Sequence, residues 1–171
     1  VGRGCLAGPV IAAAVILKKK LSNLDDSKKL SPNKRGELST IIIENSYYAF
    51  GSSSPEEIDS INILQASLLA MKRAILNLPI IPDEVLVDGN QKPDTELPTQ
   101  TIIGGDSLIA EISAASIIAK VYRDNLMIEF NNKYPNYGFA QHKGYGTKVH
   151  LESIKAFGYC SIHRKTFKGV I

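Results

Sequence analysis

Residues 1–17 have the sequence VGRGCLAGPVIAAAVIL, a glycine-rich stretch followed by a long apolar run. The β-branched residues of the run, 10–17, predict a buried strand, although its three alanines leave a helix possible. The glycines before it predict a loop whose backbone approaches another group closely, with Arg3 available to bind a phosphate. The chain is therefore predicted to open with a ligand-approaching loop that leads into a strand.

The glycine-rich loop resembles two nucleotide-binding motifs, and neither one fits well. The dinucleotide fingerprint requires an acidic residue at a strand end about 20 residues further on. Here Asp25 and Asp26 stand at that distance, but they lie in the polar stretch LDDSKKLSP. A phosphate-binding P-loop would need a following Gly-Lys-Ser/Thr, which this stretch does not contain. A nucleotide-dependent oxidoreductase or kinase is therefore the weakest of the functional hypotheses.

Length and composition indicate one ordinary globular domain. The 171 residues are 44% hydrophobic and 22% charged, which is typical of a globular chain with its own core. Two cysteines make neither a disulfide framework nor a zinc spacing, which favours a reducing compartment. The apolar run 10–17 is too short to cross a bilayer, which takes about 20 residues. We therefore expect a cytoplasmic, monomeric protein that does not contact membranes.

Strand and helix signals alternate along the chain. Ser31-Pro32 and Ser54-Pro55-Glu56-Glu57 are both typical of helix starts, and the second is a capping box. Strands are predicted over 10–17, 47–52, 84–88 and 99–103, and helices over 31–45, 54–78, 107–131 and 147–157. This alternation predicts a single α/β domain over residues 1–171.

The charges of the chain are unevenly distributed. Residues 1–130 hold 13 Lys/Arg against 16 Asp/Glu, whereas residues 131–171 hold seven Lys/Arg against one Glu. A basic segment beside an acidic body suits a polyanionic partner such as a nucleic acid, but an unevenly charged solvated surface explains the counts equally well. We expect the substrate-binding part to be the basic segment, about 131–171.

Two carboxylates stand directly after predicted strands. Asp88 ends the strand 84–88, and Asp106 follows Gly104-Gly105 just before the long helix. Taken singly, Asp88 suits a turn and Asp106 suits a helix N-cap. Taken together, two Asp at successive strand ends are the hard oxygen ligands that a magnesium site requires.

Nearly the whole chain resembles one family, the type 2 ribonucleases H. The resemblance rests on the order and number of these stretches: VGRGCLAGPVIAAAVIL, DDSKKLSPNKR, SPEEIDSINILQASLLAMKRA, LVDGN, GGDS, SAASIIAKVYRD, YPNYGFAQHKGYGT and IHRKTF. It implies a ribonuclease H-like fold, with a central mixed β-sheet flanked by helices and a C-terminal helical segment. It also implies an endonuclease that hydrolyses the RNA strand of RNA–DNA hybrids and cuts 5′ of single ribonucleotides embedded in duplex DNA, with Mg²⁺ or Mn²⁺.

The resemblance also assigns residues. Asp88 and Asp106 match two members of a four-carboxylate site for two metal ions, and the family places an Asp-Glu pair just upstream of Val1, so that the chain as given resembles an N-terminally clipped domain. Gly2, Arg3 and Gly4 match a loop that recognises the ribose 2′-hydroxyl, and Tyr145 matches a tyrosine that stacks on the next sugar. Less specific candidates for phosphate contacts are Ser27, Lys28, Lys120, Arg123 and Lys143.

Two positions depart from the common family pattern, and one alternative function stays open. Gly104 and Gln141 stand where lysine is common, which removes positive charge near the substrate. A hybrid-binding domain that has lost catalysis is the alternative, because the carboxylates Asp88 and Asp106 are only half of the expected metal site.

Overall fold

A computed structural model describes residues 1–21, 24 and 30–171. Two of the predicted phosphate contacts, Ser27 and Lys28, lie outside the described residues. In the described part of the chain, no helix is long and apolar enough to cross a membrane.

The order of the elements follows the predicted alternation. The strands are β1 (Val10–Leu17), β2 (Ser46–Ser53), β3 (Val85–Asp88) and β4 (Thr99–Ile102), and a short 3-10 turn covers Pro135–Tyr137. The helices are α1 (Pro32–Glu44), α2 (Pro55–Leu76), α3 (Gly105–Leu108), α4 (Ala110–Lys133), α5 (Phe139–His142) and α6 (Lys148–Phe157).

Both predicted helix starts are present with their caps. The Ser31 hydroxyl accepts a hydrogen bond from the Lys34 amide at 3.3 Å. At α2 the Ser54 hydroxyl accepts from the Glu57 amide at 3.2 Å, while the Glu57 carboxylate accepts from the Ser54 amide at 2.9 Å. These local interactions satisfy N–H groups that a helix start otherwise leaves without a partner.

The long helix predicted over 107–131 is two helices. Ile109 has extended backbone angles (φ −121°, ψ 124°), which separates α3 from α4 and lets α3 turn back toward the end of β3. Helix α2 contains a similar break at Asn62, whose side chain accepts from the amides of Leu64 and Gln65 at 2.9 and 3.1 Å and so caps the second half. Both breaks are set by tertiary packing and capping, which apolar periodicity does not report.

The strands form two ladders in the described part of the chain. β1 pairs with β2 in antiparallel fashion, and β3 pairs with β4 in parallel, which supplies the mixed strand directions that were expected. Between the two ladders the described residues form no backbone ladder; a groove of about 630 Å³ lies there, lined along its length by β1 and β3. The described strands therefore run in mixed directions with helices packed against them, as predicted.

Helix α4 organises the core. Its small and branched residues Ala114, Ile117 and Ile118 are buried against Leu38 and Ile42 of α1, beside β1. Its second half packs on a separate cluster that joins the glycine-rich loop to the C-terminal segment and contains Leu6, Met127, Phe139, Ile154 and Val170. The loop at residues 1–9 therefore packs against both α4 and the C-terminal segment.

Candidate active site

The two candidate carboxylates are neighbours. β3 and β4 are parallel, so their carboxyl ends meet at one edge, with Asp88 at the end of β3 and Asp106 in α3 just after β4. The amide of Gly105 donates a hydrogen bond of 3.0 Å to Asp88 Oδ1. Asp88 is exposed and Asp106 is buried at 8% exposure. The structure therefore brings together the two residues that the sequence paired.

Glycines make this corner possible. Gly104 has φ +69°, in the left-handed region that glycine adopts without strain. This conformation favours the glycine that stands here in place of the more common lysine. A Cβ at Gly105 would come within 2.6 Å of Ile112, so the turn packs directly on α4. The two glycines let the chain reverse between β4 and α3 and carry Asp106 toward Asp88.

The donor chemistry at this corner fits a hard divalent cation, although only in part. Two carboxylates supply oxygen ligands of the type that Mg²⁺ and Mn²⁺ prefer. Residues 1–21, 24 and 30–171 contain no group of three or more His, Cys, Asp or Glu arranged to hold a metal ion. Asp88 and Asp106 supply two such carboxylates, and their assignment as metal ligands stays a prediction.

The glycine-rich loop divides into a buried and an exposed part. Gly2 is buried, with φ +88°, and a Cβ there would overlap the guanidinium of Arg123. Arg3 and Gly4 are exposed, and no atom lies within 4 Å of a Cβ built on Gly4. Arg3 lines the same groove as Asp88. Gly2 is thus required by the packing of the protein itself, whereas Gly4 leaves open space in front of the loop.

Arg123, another predicted phosphate contact, is engaged inside the protein. It is fully buried, and its guanidinium donates to the carbonyl oxygens of Pro9 (3.0 Å), Lys143 (2.9 Å) and Ala7 (3.1 Å). The planar fork of an arginine matches several carbonyl oxygens at once. Arg123 therefore ties the glycine-rich loop to the loop that begins at Lys143, and its contact with a phosphate stays a prediction.

A second buried arginine, Arg164, was missed by the sequence analysis. It is fully buried and donates to the carbonyl oxygens of Gly2 (2.7 Å), Arg3 (3.0 Å) and Gly8 (2.8 and 3.0 Å). Burial lowers the pKa of the Arg164 guanidinium to about 10. Nothing in IHRKTF distinguishes a buried arginine from a solvated one, so this role could not be found from the sequence.

Tyr145 lies beside the glycine-rich loop. Tyr145 and Cys5 form an antiparallel bridge, and the Leu6 amide donates to the Gly144 carbonyl at 2.8 Å. The side chain remains 45% exposed, and burial together with the neighbouring Cys5 raises the pKa of its phenol. The predicted sugar-stacking residue and the predicted 2′-hydroxyl loop are therefore adjacent, which the sequence could not place because they are 140 residues apart.

The two remaining phosphate candidates already have partners. Lys120 Nζ lies 2.7 Å from Asp124 Oδ1, and both side chains are about one-fifth exposed. Lys143 has left-handed backbone (φ +53°), and its ammonium donates to the Ala140 carbonyl. Either lysine would have to exchange its partner for a phosphate, so these two assignments stay predictions.

The architecture is that of the ribonuclease H-like nucleases. The ribonuclease H2 structure from Pyrococcus horikoshii OT3 matches 99% of this chain and 92% of that chain, with TM-score 0.80 and 27% identity. The structure of Bst-RNase HIII in complex with Mn²⁺ matches 99% of this chain and 65% of that one, with TM-score 0.77 and 17% identity, and shares the fold alone.

The sequence comparisons narrow this class to one family. The sequence pattern of ribonuclease HII matches residues 1–170. Ribonuclease HII of Chlamydia abortus (strain DSM 27085 / S26/3) is 54% identical over 174 residues, which cover 99% of this chain and 82% of that protein. The chain belongs to the ribonuclease HII family. It is accordingly a metal-dependent endoribonuclease that cleaves RNA in RNA–DNA hybrids, and the predictions of family, fold class and enzyme class are confirmed.

Proposed function

We propose that this chain hydrolyses a phosphodiester bond at the edge where Asp88 and Asp106 meet, with Mg²⁺ or Mn²⁺ as its cofactor. The observation that carries the proposal is the hydrogen bond from Gly105 to Asp88, which fixes one carboxylate directly beside the turn that presents the other. A divalent metal bound there would supply an activated water and would stabilise the charge that develops on the phosphate and the leaving 3′-oxygen. Asp88 and Asp106 would hold it, and Asp88 lines the same groove as Arg3.

No histidine is proposed as a general base. His150 and His163 are buried, and their ring nitrogens form hydrogen bonds with each other and with backbone groups. Because metal can supply the nucleophile, no imidazole is needed for proton abstraction.

The test of the metal site compares Asp88→Asn and Asp106→Asn with Asp94→Asn. Each change removes one negative charge and keeps the shape, but Asp94 is a surface residue paired with Lys72. Cleavage should fall about a hundredfold or more in the first two variants, since the charges they remove stabilise the transition state through the metal. Calorimetric titration with Mn²⁺ should show weaker binding in the same two variants.

Near-normal turnover of either site variant in saturating Mg²⁺ would refute the assignment. A matching loss in Asp94→Asn would show that the effect is one of overall charge rather than of the site.

We further propose that the loop Gly2-Arg3-Gly4 and Tyr145 together recognise a ribonucleotide at a junction with DNA. The support is their adjacency: the Cys5–Tyr145 bridge sets an open backbone position, Gly4, beside an exposed aromatic ring. The 2′-hydroxyl distinguishes RNA from DNA, and a deoxyribose that follows is flat enough for the ring to stack on it. The expected product is a cut on the 5′ side of the ribonucleotide.

The proposed recognition of the junction is tested by the effect of Tyr145→Ala on the cleavage of two substrates. Cleavage at a single ribonucleotide in duplex DNA should lose the roughly 1–3 kcal/mol that a stacking contact supplies. Cleavage within an all-RNA strand should lose less, because the next sugar there carries another hydroxyl. Equal losses on both substrates would mean that Tyr145 is general scaffolding.

We also propose where the chain holds its substrate, how many domains it has, its oligomeric state and its location. The basic segment, about 131–171, is proposed as the part that holds the nucleic acid backbone, within one domain that spans residues 1–171. A monomeric state and a cytoplasmic location are proposed on the composition alone.

A further inference from the structure

Three histidines lie together beneath the loop that carries Tyr145. His142 ends α5, His150 lies in α6, and His163 lies in the C-terminal segment. The rings of His142 and His150 stack with centroids 4.4 Å apart, and those of His150 and His163 are 5.2 Å apart. His150 is fully buried and His163 is 2% exposed. Nothing in the proposed hydrolysis uses these rings.

The hydrogen bonds of His150 and His163 admit one consistent set of proton positions. The Cys160 amide donates to His163 Nδ1 at 2.9 Å, so the proton of the neutral His163 ring is on Nε2. His163 Nε2 lies 3.0 Å from His150 Nε2 and therefore donates to it. The His150 proton is then on Nδ1, which donates to the Tyr145 carbonyl at 2.9 Å. The result is a directed chain of hydrogen bonds from Cys160 to Tyr145.

This chain of hydrogen bonds connects the two substrate-facing loops. At one end it holds the backbone of Tyr145, whose amide is held by the His142 carbonyl at 2.9 Å. At the other end His163 forms a backbone bridge with Ala7 in the glycine-rich loop. His142 adds a further contact, because its Nδ1 accepts from the Gly144 amide at 3.2 Å. The position of the Tyr145 backbone relative to the glycine-rich loop thus depends on hydrogen bonds between two buried rings.

We propose that His150 and His163 are positioning residues that hold Tyr145 against the glycine-rich loop and thereby set the preference for a ribonucleotide–DNA junction. The inference rests on the proposed role of Tyr145. It assigns to the two histidines an effect on substrate preference, and it assigns them no contact with the substrate or the metal.

The rings are held in the neutral form that this arrangement requires. The titratable or charged groups that face them are Tyr137, His142, Lys143, Tyr145 and Cys160. Burial lowers the pKa of His150 to about 4 and also lowers the pKa of His142 and His163. A charged His150 would need a proton on the Nε2 that accepts from His163, and its low pKa keeps that state below pH 5. Because these pKa values lie below the ordinary histidine value, the arrangement is expected to show no transition with a midpoint at or above that value.

The kinetic experiment measures a preference ratio: kcat/KM for a single ribonucleotide in duplex DNA divided by kcat/KM for an all-RNA strand in a hybrid. His150→Phe fills the same space and removes both ring nitrogens. His150→Asn keeps one amide nitrogen near the place of Nδ1, where it can still donate to the Tyr145 carbonyl. Ile42→Val is the control, since Ile42 is fully buried in the separate cluster between α1 and α4.

We expect His150→Phe to lower the preference ratio at least fivefold, His150→Asn to restore most of it, and Ile42→Val to leave it unchanged. In a Tyr145→Ala background, His150→Phe should lower the ratio no further, because both changes remove the same contact. For the wild-type enzyme the ratio should show no transition with a midpoint at or above the ordinary histidine pKa. A ratio that changes with a midpoint near the ordinary histidine pKa would overturn the inference.

The outcomes separate this inference from the proposed function. If Tyr145→Ala lowers the ratio and His150→Phe lowers both rates equally, the inference is wrong and the role of Tyr145 stands. If Tyr145→Ala itself leaves the ratio unchanged, the role of Tyr145 and the inference fail together.

A second measurement needs no variant and no activity. Long-range ¹H–¹⁵N NMR of histidine-labelled wild-type protein reports which ring nitrogen carries the proton. The inference requires protonated Nδ1 on His150 and protonated Nε2 on His163 at pH 7. The opposite tautomer on either ring would break the directed chain and overturn the inference, whether or not the variants fold.

Discussion

Replacing Arg164 by lysine tests how the glycine-rich loop is held. The change keeps the positive charge but replaces a planar fork with a single ammonium. In the structure the fork serves three carbonyl oxygens, those of Gly2, Arg3 and Gly8, at 2.7 to 3.0 Å. A lysine ammonium is a compact charge rather than a planar fork, so it can approach only one of these three carbonyls closely. The other two carbonyls therefore lose a charged hydrogen-bond donor.

The expected cost follows from those two carbonyls. A hydrogen bond to a charged group contributes about 1.5–3 kcal/mol, so Arg164→Lys should lower the free energy of unfolding by about 3–6 kcal/mol. That is a large share of the stability of an ordinary domain, about 5–15 kcal/mol. The control is Arg73→Lys: Arg73 makes three hydrogen bonds, to Glu57 and to the Ser52 carbonyl, against four for Arg164, but its side chain is 40% exposed. Such an exposed pair contributes about 0–1 kcal/mol.

Urea unfolding followed by circular dichroism measures both variants under one set of conditions. The account requires a midpoint shift that is several times larger for Arg164→Lys than for Arg73→Lys, with similar slopes. If the two substitutions cost the same within 1 kcal/mol, the buried fork does not hold the loop, and the reasoning about Arg164 is refuted.

Two further predictions concern the substrate surface. Gly4→Ala should leave the unfolding midpoint equal to that of the wild type within experimental error, because no atom lies within 4 Å of the added Cβ, yet it should raise KM because the Cβ crowds the approach of the substrate to the backbone. Gly2→Ala should instead lower the unfolding midpoint. The reverse pattern would contradict the division of the loop into a buried and an exposed part. Hybrid affinity should fall steeply with salt, and replacing Lys120 and Lys143 by glutamine should reduce the slope of log K against log salt by about 1 for each lysine. An unchanged slope would place the phosphate track elsewhere.

The sequence predicted the elements of the fold wherever the signal was local. Ser31-Pro32 and the Ser54–Glu57 capping box predicted helix starts to the residue, because a cap is made within one turn. The break at Ile109 was missed, since the residues from 105 to 133 are all compatible with helix and only the approach of α3 to β3 separates them. The pairing partners of the strands were not predicted, because pairing between distant strands leaves no mark in the sequence of either one.

The candidate site shows the same limit more sharply. Asp88 and Asp106 could be paired from the sequence because parallel strands align their carboxyl ends. The buried contacts of Arg123 could not be predicted, because a charged residue on a helix is most often solvated, and its burial depends on carbonyls more than 110 residues away. The hydrogen bonds of His150 and His163 depend likewise on three segments meeting beneath Tyr145.

The measurement that tests the central claim most directly is the mapping of the cut in duplex DNA that contains one ribonucleotide. The substrate is incubated with the enzyme and Mg²⁺, and both product ends are sequenced to the nucleotide, with Asp106→Asn as the control. The account predicts one cut on the 5′ side of the ribonucleotide, a free 3′-hydroxyl on the upstream fragment, and loss of the cut in Asp106→Asn. A cut on the 3′ side with a cyclic phosphate, or an undiminished cut in Asp106→Asn, would contradict it.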